Sequence, residues 1–399
     1  VYAFFDTNVV AGDWEYDPYD AAVADDPEFG QVVYAPGPNN KGAFIAFLNA
    51  LEVIKKTAGD LPVNLMFVSE GEEWLGSPHI PLLIERYREQ LSRADAFIRP
   101  GAAQTGSGTV PVYLGNKGCI HIELECSGAR WGQGPKNSAV HSSLQCVVES
   151  PVWRLVQALS AFYDPQDNLI VVKGFCEGLQ EPTPEEIELI EVLADRYRGE
   201  EANVLRGGSP DRIAGYIDDL DGRDLFLRYC FQPTMNISGL RAGYTGPGTR
   251  FWTTPHAAHC NLDARLPADL DPEISIQKIR DCLDEGGYTD IGITVLESTP
   301  SAYTLDVNDE EYKAAMRVLD DWGVDTVIWP RAGSGGPTGH FSRLLNLKPL
   351  VSAGLGHTGG SEDGDFLVVG KNAKVGGLVE LEQSFVDLLY SYAAYPSDF

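Results

Sequence analysis

The sequence predicts an α/β domain, a doubly wound mixed sheet, interrupted by an inserted α+β domain. Three observations carry this. Near both ends of the chain, short apolar runs alternate with stretches of helical periodicity, the order that builds a sheet flanked by helices. From about Gly118 the pattern changes to apolar–polar alternation, as in CIHIELECSG and HCNLDARLP, which is how half-exposed antiparallel strands read. From about Pro300 the first texture returns, so residues 1–117 and 298–399 make one domain and 118–297 the insertion.

In chain order, Val1–Phe5 is a strand ending at Asp6, followed by an acidic surface loop to Phe29. APGPNNKGAF is a Gly/Pro turn feeding a helix over about Ala43–Thr57, with apolar residues at helical spacing. Leu61–Val68 reads as a buried parallel strand that opens into Glu70, Glu72 and Glu73 and turns at Gly76. A helix over about Ile80–Ser92 and a short strand Asp95–Ile98 complete the first half. Within the insertion, helices are expected at Pro151–Phe162, at the acid-rich PTPEEIELIEVLADRYR beginning at Thr183 or Pro184, and at ISIQKIRDCLDEGG. LIVVKGF and GITVLEST read as strands. The last part gives a helix over Glu310–Trp322, strand VDTVIW, glycine-rich loop RAGSGGPTGHF, strand KPLVSAGLG and a closing helix over Gly377–Ala394.

Composition narrows the function classes. The chain has 399 residues and a formal net charge of −28. So acidic a surface excludes nucleic acid and anionic membrane as partners, because both require a basic footprint. It suits a highly soluble protein, extracellular or in a salty medium. No apolar run is long enough for a transmembrane helix. The N-terminus lacks a signal-peptide pattern and reads as a strand already under way, so a mature or shortened form is expected. The seven cysteines are scattered without a CxxC pair, which gives neither a zinc knuckle nor a disulfide framework. Asn236-Ile-Ser238 is a glycosylation sequon that matters only in a secreted protein.

Carboxylates at the C-terminal end of a buried strand stand where open α/β sheets place their ligand crevice. A neighbouring pair there can divide labour, one holding a cation and the other moving a proton. The ordered set FFD, NNKG, SEGEEWLGS, a His-Ser pair, PTMNISGLRAGYTGPGTR, ARLP and GSGGP then resembles the co-catalytic metallopeptidases that include carnosinase, glutamate carboxypeptidase, aminoacylase and the Cys-Gly dipeptidases. The resemblance runs through nearly the whole chain and is greatest to the carnosinase-like dipeptidase branch. It implies a zinc or manganese α/β domain, an inserted lid domain that dimerises, and a chain shortened at its N-terminus.

The same resemblance exposes departures. Where the family has the His of H-x-D, this chain reads Phe4-Phe5-Asp6; the orienting Asp6 survives as a vestige. The metal-bridging Asp is Asn39, and the ligand beside the general-base position Glu73 is Trp74. The next ligand falls in Arg99-Pro100-Gly101 and the last in Gly359-Gly360-Ser361-Glu362, neither of which matches. Phe and Trp cannot ligate a divalent ion, and both rings are expected to fill the space that ions would take. Other positions match the family's substrate shell: His141 from the lid, Asn236 and Arg265 for a substrate carboxylate, and Ser334 and Gly335 in the lining loop.

These departures lead to the expectation of a catalytically inactive scaffold or binding protein that self-associates through the lid as a homodimer or larger homo-oligomer, with no cofactor. The alternative is an active metal-dependent dipeptidase or amino-acid deacylase using zinc or manganese at a remodelled site of His357, Asp6, Glu73 and Glu362. A small carboxylate or peptide held by Arg265 and Asn236 is a third reading. His256 and His259, at strand spacing, are not expected to share an ion.

Overall fold

The computed structural model describes residues 1–7, 9–10, 14–205, 208–248, 252–351, 354–359 and 365–394. Its body is built on parallel strand pairs: Tyr2–Phe4 with Val68–Glu70, Phe97–Arg99 with Pro349–Val351, Ala102–Gln104 with Gly354–Gly359, and Val110–Tyr113 with Thr326–Trp329. Antiparallel strands Val23–Asp26, Gly30–Tyr34 and Phe366–Val368 extend the sheet beyond Gly354–Gly359, so the sheet is mixed. Helices Pro38–Ala58 and Leu378–Ala393 pack together through Phe47, Ile54, Leu381 and Phe385. A second core places Tyr2, Phe4 and Phe97 against Ile80, Ile84 and Phe341.

The insertion carries a four-stranded antiparallel sheet in the order Asn236–Ala242, Ala257–Leu266, Gly118–Ser127, Gly292–Thr299. The alternation in the sequence is realised here. Ile120, Ile122, Leu124 and Cys126, with Cys260, Leu262 and Ala264, pack onto helices Pro151–Leu159 and Pro272–Glu285. The residues between them, His121, Glu123, His259, Asp263 and Arg265, occupy the opposite face. The fold class expected from the sequence is therefore present, an α/β sheet domain interrupted by an α+β lid.

Several elements differ from expectation. Only Val68 of Leu61–Val68 is in the strand, which instead runs Val68–Glu70, because its partner Tyr2–Phe4 offers three residues to pair. Glu70 thus lies within the sheet rather than beyond it. The helix expected over Ile80–Ser92 divides at Tyr87 into Ile80–Arg86 and Arg88–Leu91. In LIVVKGF only Leu169–Ile170 pair, with Tyr163–Asp164, and turns follow. The glycine-rich stretch ends in an unexpected helix, Thr338–Leu345. Another, Gly222–Phe231, joins Pro184–Arg196 in a core with Val327 and Trp329, so these two helices of the inserted stretch pack against a strand of the body.

Candidate functional site

The site begins where the strand Val68–Glu70 ends. Phe4 and Glu70 are register partners, and the Glu70 Oε1 accepts hydrogen bonds from the Tyr2 hydroxyl at 2.5 Å and the Ser77 hydroxyl at 2.8 Å. Burial pushes the Glu70 carboxyl above its ordinary range, and burial together with Glu70 pushes the Tyr2 hydroxyl up as well. Past Glu70 the chain closes a 3-10 turn, Glu73–Leu75, ending at Gly76 in the left-handed region (φ 85°). A side chain at Gly76 would collide with Glu297 of the lid strand Gly292–Thr299, so the acidic turn touches the lid. Glu72 reaches the His79 Nδ1 at 2.6 Å.

Asp6 holds this turn in place: its Oδ2 accepts from the Trp74 amide at 2.9 Å, while its buried Oδ1 has no hydrogen-bond partner among the described residues. The buried Lys41 Nζ is also without one. Burial lowers the Lys41 pKa, and Asp6 and Asp365 oppose that shift. The Arg99 Nη2 donates to the Asn40 Oδ1 at 2.8 Å, and its guanidinium lies 5.0 Å from the centre of the Phe4 ring. Positive charge among these acids is thus supplied by Lys41 and Arg99. Neither was singled out in the sequence. Arg99 belongs to the segment Arg99-Pro100-Gly101, and only the fold brings it to Phe4 and Asn40.

The expected site residues separate into groups. Glu73 and the glycine loop come together, since a β-carbon placed on Gly336 would lie 3.3 Å from the Glu73 Oε1. Ser334 and Gly335 are half-buried in that loop. On the lid, the Asn236 amide donates to the Asp263 Oδ2 at 2.9 Å, so its donor is already engaged. Arg265 lies on the same sheet face, half-buried, and its guanidinium makes no hydrogen bond or ion pair with a described residue. His141 is exposed in the two-residue strand Val140–His141, with its Nδ1 2.8 Å from the Ser143 hydroxyl.

Three expectations need correcting. Phe4 is buried at 2% exposure within its aromatic core, but Trp74 is 46% exposed and fills no cavity, because the 3-10 turn faces it outward. Asn39 is exposed, and the inward side chain of that helix turn is Asn40. His357 does not meet Asp6 or Glu73: it is buried against Phe29 and Phe366, and its Nδ1 lies 2.7 Å from the Gln104 carbonyl oxygen. Glu362 lies outside the described residues. As for the two lid histidines, the His259 Nδ1 is 3.5 Å from a Glu123 oxygen, and His256 precedes the strand.

Comparison with known proteins gives these observations a context. No protein-family model matches the chain. It is similar to the Beta-Ala-His dipeptidase of Mus musculus, 21% identical over 86% of this chain and 67% of that protein. It is also similar to the Cys-Gly metallodipeptidase dug1 of Schizosaccharomyces pombe, 24% identical over 59% of this chain and 46% of that one. In structure it resembles an M20 family metallo-carboxypeptidase from Sulfolobus solfataricus, with a TM-score of 0.81, 23% identity, and 99% of this chain and 84% of that one covered. The dipeptidase Dug1p of Saccharomyces cerevisiae follows at a TM-score of 0.78 and 20% identity, with coverage of 99% and 80%.

The expectation of no cofactor is corrected by these relatives, one named a metallodipeptidase and another a metallo-carboxypeptidase. The chain's own donors, however, do not fit a pair of divalent ions at the positions implied by the resemblance. Phe4 offers no donor atom, the Trp74 indole offers only an N–H, and Arg99 brings a cation.

Proposed function

We propose, for a chain related in sequence and fold to the carnosinase-type M20 metallodipeptidase family, that it hydrolyses the amide bond of a dipeptide or N-acyl amino acid. The observation that carries this reading is the meeting of Glu73 with the glycine loop at Gly336. A carboxylate beside half-buried loop backbone is placed to take a proton from water attacking a carbonyl seated on that loop, and then to return it to the leaving amine. Asp6 acts one step removed, holding the Trp74 amide and with it the orientation of Glu73. Arg265, unpaired among the described residues, is a cation available for a substrate carboxylate.

The test follows release of free amino acid from cysteinyl-glycine and β-alanyl-histidine, with zinc or manganese added. Turnover is expected in the wild type, with a loss of about a hundredfold or more in Glu73→Gln. No release from the wild type under any of these conditions overturns hydrolysis.

A second reading has a specific observation behind it. Phe4 and Arg99, at positions where the resemblance implies metal ligands, favour a protein that binds such ligands without cleaving them. Calorimetric binding of the same dipeptides without turnover is its expected signature.

Self-association through the lid belongs to the same proposal. The strand Asn236–Ala242 is an edge strand carrying exposed Ile237 and Leu240, and Val147 and Trp153 are exposed elsewhere on the lid. Sedimentation is expected to show a dimer that Leu240→Lys converts to monomer. A wild type that stays monomeric at high concentration overturns this part.

A further inference from the structure

Two chain crossings join the body to the lid sheet, one at Asn116–Gly118 and one at Thr299–Ala302. Both pack directly on the glycine-rich loop. A β-carbon on Gly335 would overlap the Lys117 carbonyl oxygen, and one on Gly339 would overlap that of Pro300. The crossings also touch each other, since a side chain at Gly118 would stand 2.6 Å from the Thr299 carbonyl oxygen. Lys117 is buried, and its ammonium donates to the carbonyl oxygens of Tyr229 and Gln232 at 2.5 and 2.6 Å, at the end of the helix Gly222–Phe231.

One side chain spans all three segments. The Asn116 Nδ2 donates to the Thr338 hydroxyl at 3.0 Å, at the end of the loop, and the Asn116 Oδ1 accepts from the Ala302 amide at 2.8 Å, on the returning crossing. Its backbone continues the parallel pairing of the body, bridging to Ala332 just before the loop. Thr338 is itself buried, so few other partners can replace this bond. The far side of the loop, at Gly336, faces Glu73.

We propose that Asn116 is a positioning residue that locks the glycine loop to both crossings, so that loop conformation and lid position change together. The shared side chain gives the loop one arrangement for a given lid position: moving either crossing strains or breaks a bond to the amide. The consequence for a ligand on the loop rests on the function proposed above; the mechanical tie does not.

Hydrogen exchange on the ligand-free protein tests the tie. In Asn116→Ala the Ala302 amide and the amides of Ser334, Gly335, Gly336, Thr338 and Gly339 are expected to exchange about tenfold faster, while the central amides of Gly118–Ser127 and Ala257–Leu266 keep their protection. Thr338→Val removes only the loop bond, so the loop amides speed up and Ala302 does not. Asn116→Asp restores both regions, because its carboxylate accepts from the Ala302 amide and from the Thr338 hydroxyl. Unchanged exchange in the loop of Asn116→Ala overturns the proposal, as does an even rise across body and lid. In a second arm, calorimetry with β-alanyl-histidine is expected to give about tenfold weaker binding for Asn116→Ala and recovery in Asn116→Asp. If the wild type itself does not bind the dipeptide, the functional reading falls while the exchange arm still decides the tie.

Discussion

At the scale of the residue, Glu70 shows how the fold reassigns a side chain that looks like a surface acid. Its place inside the strand gives it two hydroxyl donors and an apolar setting that raises its pKa. The sign of its effect on stability follows from that direction. A carboxyl whose folded pKa is raised favours folding below the ordinary Glu range, and that advantage is lost as the pH climbs through the folded value. Glu70→Gln keeps an acceptor for Tyr2 and Ser77 and removes the charge. Denaturant unfolding is expected to show the variant more stable than wild type at pH 8, by a few tenths to about 1 kcal/mol after solvent screening, and equal to it near pH 4. A wild type that is the more stable at pH 8 would contradict the burial argument. Glu73, by contrast, comes beside the glycine loop only through the fold, where a β-carbon on Gly336 would lie 3.3 Å from its Oε1.

At the scale of the element, local signals held best where a cap or a strict period specified the boundary. The helix Pro184–Arg196 starts as expected from Thr183: the Glu186 amide donates to the Thr183 hydroxyl, and the Glu186 carboxylate accepts from the Thr183 amide. That carboxylate also pairs with Arg331, just before the glycine loop, at 3.1 Å, so the cap docks the helix on the body. Thr183→Ala is expected to cost about 1 kcal/mol in a denaturant melt. A loss below a few tenths would mean that docking through Arg331 alone holds the end. Apolar runs without a period were less informative. Leu61–Met66 and Val171–Phe175 are as hydrophobic as strands, yet they lie outside the ladders because no neighbouring strand is long enough or close enough to pair with them. Gly222–Phe231 was missed because its partners, Val327 and Trp329, are remote in sequence.

At the scale of the whole molecule, the net charge of −28 is the dominant feature not tied to any site. Like charges repel more strongly in the compact state than in the expanded chain, and salt screens that repulsion over a Debye length of about 10 Å at 0.1 M. The melting temperature is therefore expected to rise by several degrees between low salt and about 1 M sodium chloride. A flat or falling response would show that the paired acids, such as Asp271 and Glu273 with Arg343, already compensate the excess locally. That cluster links a lid helix to the body helix Thr338–Leu345, so salt will weaken this contact while stabilising the rest.

The sequence by itself determined the fold class, the interruption by a second α+β unit, and the acidic turn and glycine loop as the centre of interest. These follow from periodicity, chain punctuation and ordered short motifs, all of which are local. Only the tertiary structure decided which side chains share space. It half-buried Glu70 inside a strand, turned Trp74 outward, sent His357 into a separate aromatic pocket, and set Lys41 and Arg99 among the acids. It also placed Asn116 between three segments that lie far apart in the chain. The reason is physical: charge compensation and hydrogen bonding depend on distances of a few ångströms between residues, and packing alone sets those distances.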